Sequence, residues 1–176
     1  MQKLQDKTIN AGHIGFIIGP CFNATGRIST VEKSFDLLRE TDPAACLKKA
    51  EELKEINEQR KHMTEEGAVM AYEMVEKQTH MPDVILLLLT GVHESLAGII
   101  AGRVKEKYHH PTIVFTEPEP GVIKGSGRSI ESYNMFLELM KCKDLMMRFG
   151  GHKMAAGMTL NKENLDELRR RLNEES

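Results

Sequence analysis

Nothing in the 176-residue sequence approaches the run of about 18 apolar residues that a membrane span needs. The N-terminal MQKLQDKTIN lacks the charged-then-apolar layout of a signal peptide, so a cytoplasmic protein with no membrane partner is expected. Cysteine is scarce: Cys21, Cys46 and Cys142 are odd in number, far apart and form no CxxC pair. That excludes a disulfide framework and a zinc site of the usual spacing, and the three read as reduced thiols. No HExxH or Asp/His cluster is present either. His13, His62 and His80 are isolated, and the adjacent His109 and His110 point different ways on a strand or loop. The chain is therefore expected to hold no metal of its own. A net charge of −2 also excludes a uniformly basic nucleic-acid coat.

What is present is organised in three stretches. Residues 1–40, with GHIGFIIGPCFNATGRIST, carry glycines and a proline that predict loops rather than a self-sufficient core. Thr41-Asp42-Pro43 then supplies a helix start, a capping residue before proline at the first helical position. From there to about Gln78, Cys46, Lys49, Leu53, Ile56, Arg60, Met63, Gly67, Met70 and Met74 recur at alternating three- and four-residue steps. This predicts one long connector helix over 41–80, with a break near Gly67 as the alternative.

From 81 to 176 the pattern becomes α/β. Val84–Leu89 is a continuous apolar run, the mark of a strand buried on both faces. A helix over about Glu94–Tyr108 and a second apolar strand, TIVF, complete a βαβ crossover. EPEPG reads as a loop, Val122-Ile123 as a short strand, and Tyr133, Phe136, Leu137 and Met140 as one face of a helix. Met154, Ala156, Met158 and Leu160 alternate as in a strand, and Asn161 is placed to cap a last helix carrying Leu165, Leu168 and Leu172. The fold class expected is α/β, a mixed sheet with a βαβ crossover and flanking helices, preceded by the connector helix.

Three glycine-rich segments invite anion chemistry. In RFGGH, Gly150 and Gly151 let a backbone approach a ligand closely, as a nest of N–H groups before His152. A tight turn with a surface histidine fits those residues equally. GSGRS offers Ser126, Arg128 and Ser129, a guanidinium fork and hydroxyls for phosphate, or else a flexible loop. GPCFNATGR places Arg27 after a turn-like run. Residues 101–160 carry nine Lys or Arg against six Asp or Glu, a weak excess alone. His93 sits near a helix start, where anions are favoured. The small residues that follow it, Ala97, Gly98, Ala101 and Gly102, suit close packing on a sheet.

Taken in order, GPCFNATGR, GVHESLAGIIAGRVKEKYHHPTIVF, GSGRS and RFGGHKMAAGMTL resemble RecJ-type single-stranded-DNA-specific exonucleases of the DHH phosphoesterase superfamily. The resemblance runs from about Ile9 to the C-terminus, with 81–176 similar to the DHH-associated domain and 1–40 to the end of the catalytic domain or an inter-domain segment. It implies 5′-to-3′ hydrolysis of single-stranded DNA, with two divalent metals, manganese or magnesium, held by an N-terminal DHH domain whose motif this chain lacks. This chain alone is then expected to be inactive. The resemblance further implies that His152 acts at the scissile phosphate and that Gly150, Gly151, Ser126, Arg128 and Arg27 hold the DNA backbone. His93 matches a family histidine, but Glu94-Ser95-Leu96 departs from the glycine that follows it there, which leaves its role open. The alternatives are an oligoribonucleotide or cyclic-dinucleotide phosphodiesterase of the same superfamily, and a nucleic-acid-binding module without catalysis.

Overall fold

The computed structural model describes residues 8–174. The chain divides into two compact units, one through His62 and one from Met63, the division falling inside a long helix.

The first unit is helical where loops are expected from its glycines. α1 (Ala11–His13) runs through a π-helical stretch, Ile14–Ile18, into α2 (Gly19–Ile28), and α3 (Glu32–Arg39) follows. Pro20 lies in the first turn of α2, directly after the π-helical stretch. The turn-like residues of GPCFNATGR are absorbed by helix contacts. The Thr25 and Ser34 hydroxyls lie 2.8 Å apart, both buried, and both donate to the Phe22 carbonyl.

α4 (Pro43–Glu76) is unbroken over 34 residues, about 51 Å at 1.5 Å per residue. Asp42 caps it by accepting from the Ala45 N–H at 2.8 Å. Gly67 does not break the helix. A Cβ there would sit 2.6 Å from Ile100 Cδ1, so the position is small because another helix presses on it. The buried stripe also differs from the heptad reading. Leu53 and Ile56 lie on it, but further along it is made by Thr64, Gly67, Ala68, Ala71 and Val75, and Met63, Met70 and Met74 are exposed. A straight α-helix drifts by about 20° per heptad from a 3.5-residue repeat, which carries the methionines off the face.

The second unit is a five-stranded mixed sheet in the order β1-β2-β3-β5-β4. β1 (Ile85–Leu88) and β2 (Thr112–Glu119) are parallel and joined through α5 (Ala97–Tyr108), the expected βαβ crossover. β3 (Val122–Arg128), β5 (Ala155–Asn161) and β4 (Met146–His152) add antiparallel. Two expected loops are therefore strand. Glu117 to Glu119 extend β2 up to a turn at Gly121 (φ +79°), and GSGR lies within β3. The Pro and Gly signals mislead because ladder bonds to β2 and β5 hold GSGR extended, while Glu119 pairs with Val122 and carries β2 to the turn.

One face of the sheet packs on α6 (Met135–Lys141) and α7 (Leu165–Glu174). Ile113, Phe115, Ile123, Met135, Leu139, Met158, Leu160, Leu168 and Leu172 form one buried cluster. Burying a side chain such as Phe115 contributes about 2–3 kcal/mol. Gly125 and Gly127 face this core. A Cβ on Gly125 would lie 2.4 Å from Phe115 Cε1, so only glycine leaves the ring its place. Asn161 ends β5, and its side chain makes no capping bond; a 3₁₀ turn, Lys162–Asn164, intervenes before α7. The opposite face carries α5 over β2 and β3. α4 lies on α5 in turn, through Gly67 against Ile100, Tyr72 edge-to-face with Tyr108, and the Lys107–Glu76 ion pair at 2.9 Å.

Candidate nucleic-acid interface

The side-chain alternation of β3 puts Lys124, Ser126 and Arg128 on the face away from the Phe115 core. Register then carries that face across the sheet. Lys124 is level with Thr159 and Arg148, Ser126 with Gly157 and Gly150, and Arg128 with Ala155 and His152. A bulge between Met146 and Arg148 decides this: Met146 pairs with Leu160 on the core side, and the extra residue Met147 turns Arg148, Gly150 and His152 to the other. Beyond the strands that α5 covers, Arg148, Gly150, His152 and Gly157 are all exposed.

The polar geometry is specific. Arg128 Nη1 donates to Ser126 Oγ at 3.1 Å and to the Gly127 carbonyl at 2.7 Å, which seats the guanidinium beside the hydroxyl. His152 Nδ1 accepts from the Met154 N–H at 3.3 Å, so the ring proton resides on Nε2, which is left as a donor. His93 is held in the same way, Nδ1 accepting from Ser95 N–H at 3.3 Å with Ser95 Oγ at 2.8 Å. Lys124 Nζ is paired with Glu94 Oε2 at 2.7 Å, which sets a carboxylate beside this cationic face.

Four of the residues singled out in the sequence, Ser126, Arg128, Gly150 and His152, thus share one face of three adjacent strands. Gly151 does not share it. It is level with Ala156 on the core side, where a Cβ would meet the Ala155 carbonyl oxygen at 2.5 Å. Neither Gly150 nor Gly151 has a positive φ, so RFGGH is an edge strand and not a nest or a tight turn. Ser129 is buried and donates to the Tyr133 carbonyl at 2.8 Å, a structural use of its hydroxyl. Arg27 belongs to the other unit, in the last turn of α2. Lys124, Gly157 and Thr159 escape the sequence reading. Once GSGR is taken as strand, alternate positions reveal Lys124, and pairing to MAAGMTL brings in the other two.

A family model described as DHHA1 domain matches residues 82–175. The single-stranded-DNA-specific exonuclease RecJ of Bacillus subtilis is 37% identical over 166 residues, 94% of this chain but 21% of that protein. The crystal structure of RecJ from Thermus thermophilus in complex with Mg²⁺ superposes with a TM-score of 0.84 at 28% identity, covering 97% of this chain and 26% of that one. The corresponding Mn²⁺ complex gives the same score and identity, with 25% of its chain covered. The chain therefore spans about a fifth to a quarter of the length of these three chains. With the model match covering more than half its length, this chain belongs to the DHHA1 domain family.

Proposed function

We propose that this chain is the substrate-holding portion of a RecJ-like single-stranded-DNA-specific exonuclease, and that the open face of β5 and β4, bordered by the half-buried Ser126 and Arg128 of β3, binds the DNA backbone. The observation that carries this reading is the convergence of Lys124, Arg128, Arg148 and the His152 Nε2 donor around the side-chain-free positions Gly157 and Gly150. Cations and N–H donors at an open surface suit phosphate oxygens, and with no base-reading groups they suit them without regard to sequence. Similarity to exonucleases of that name supports DNA as the polymer.

The Thermus structures contain Mg²⁺ and Mn²⁺. Among the described residues no group of three His, Cys, Asp or Glu side chains is placed to hold a metal ion. We therefore assign the divalent metals to an N-terminal DHH domain of the longer protein. Residues 81–176 are taken as the DHH-associated substrate domain, 41–80 as the connector, and 1–40, with Arg27, as the part next to the catalytic domain. His152 is assigned to the scissile phosphate and Ser126, Arg128 and Gly150 to the backbone. Gly151 keeps β4 close to β5 at this place. Among the described residues no helix is long and apolar enough to cross a membrane.

Titrating the chain with an oligothymidylate at several salt concentrations tests the assignment. Binding is expected to weaken linearly in log–log form, and Arg128→Ala to reduce the slope by about one. A slope and affinity unchanged in Arg128→Ala contradict it. A manganese-dependent nuclease assay of the chain alone is expected to show no activity, and turnover there would refute the assignment of metals elsewhere.

A further inference from the structure

Gly98 lies in the first turn of α5, where the helix crosses β3. A Cβ built on it would stand 2.6 Å from Arg128 Nη2, 2.8 Å from Ser126 Oγ and 3.2 Å from Arg128 Cζ. All three are side-chain atoms of the two phosphate-facing residues of β3, and no backbone atom is among them. Gly102, one turn further along, has no atom within 4 Å of the same position. The two glycines of one helix therefore differ in kind: Gly102 is merely tolerated, and Gly98 is a notch into which the guanidinium and hydroxyl are set.

We propose that Gly98 is a positioning residue for the phosphate-binding pair, its missing side chain being what holds Arg128 and Ser126 at their places where α5 meets the border of the open face. This rests on the phosphate-binding reading of that face. A methyl group at 98 leaves the fold intact, because the atoms it displaces are the free ends of flexible side chains and the helix gains from alanine over glycine. Its cost falls on the guanidinium, which must swing away from Ser126 Oγ and the Gly127 carbonyl, the two acceptors that now fix Nη1. Stability and binding should then change in opposite directions, which a packing role for Gly98 does not produce.

The test compares Gly98→Ala, Gly102→Ala, Arg128→Ala and the Gly98→Ala/Arg128→Ala double variant in this chain, by thermal melting and by oligothymidylate titration against salt. Gly98→Ala is expected to melt at or above the parent temperature, to bind about fivefold more weakly, and to flatten the salt slope by about one. Gly102→Ala should bind as the parent does. The double variant should bind within about twofold of Arg128→Ala, because the group that Gly98 positions is already gone. Parental binding by Gly98→Ala, a full further loss in the double variant, or failure of Gly98→Ala to fold each overturns the proposal. Weak binding by Arg128→Ala with parental binding by Gly98→Ala sinks the Gly98 inference alone. Parental binding by Arg128→Ala sinks the phosphate-binding reading and this inference with it.

Discussion

The two faces of β3, β5 and β4 use the same residue type for opposite ends. On the core side, Gly125 is small because Phe115 occupies the space a Cβ would take, at 2.4 Å. On the exposed side, Gly157 and Gly150 are paired rung to rung and a Cβ at either meets nothing within 4 Å. Packing explains the first and leaves the second unexplained, because glycine in an extended strand costs about 0.5–1 kcal/mol relative to alanine. A strand position that forgoes that stability without a neighbour to accommodate leaves room for a ligand backbone to come close, which is the role proposed here. On the proposed reading, the comparison separates glycines that the fold requires from glycines that a ligand would require.

Substitutions on the two faces should therefore divide cleanly. The largest effect is expected for Phe115→Ala, which empties the centre of the inner cluster and should cost about 4 kcal/mol in chemical denaturation. Gly125→Ala drives a methyl into the same ring and should cost about 2 kcal/mol. An equal loss from Gly157→Ala would collapse the distinction. Gly157→Ala is instead expected to gain about 0.5 kcal/mol while weakening binding to single-stranded DNA, both measured on one sample.

Smaller than the two core losses is the effect of Tyr133, which borders the inner cluster and whose hydroxyl is buried without a hydrogen-bond partner. Burial, followed by the charges of Glu138, Cys142 and Asp83, raises its pKa above the ordinary value near 10. The folded state thus favours the neutral phenol. That contribution is full below the unfolded value and is lost as pH rises through the folded one. Ultraviolet titration of the three tyrosines should show one that ionises only with alkaline unfolding, and Tyr133→Phe should remove that step and raise stability by about 1 kcal/mol.

Much of the fold is readable before any coordinates, for identifiable reasons. Val84–Leu89 is apolar throughout because β1 is covered on both faces, and Leu165, Leu168 and Leu172 recur at helical spacing because α7 has one buried side. Glycine is the poor guide. It marks GPCFNATGR, GSGRS and RFGGH as loops, and the structure makes them helix, inner strand and edge strand. Local propensity fails there because helix contacts and ladder bonds from distant residues outweigh it. The candidate site is legible as a set of residues but not as a surface. Gathering Ser126, Arg128, Gly150 and His152 depends on the β3–β5–β4 register and on the bulge at Met147, neither of which has a local signature. The same bulge takes Gly151 out of the set.

The central claim is that single-stranded DNA lies on the open face of β5 and β4, beside Ser126 and Arg128 of β3. Methyl groups report on it most directly, because neighbouring residues of β5 point to opposite sides: Ala155 and Thr159 outward, Ala156 and Met158 into the core. In methyl-resolved magnetic-resonance spectra recorded while oligothymidylate is added, the Ala155 and Thr159 signals are predicted to shift and those of Ala156 and Met158 to stay in place. Shifts confined to Ala156 and Met158, or none at any of the four with DNA bound, would contradict the account.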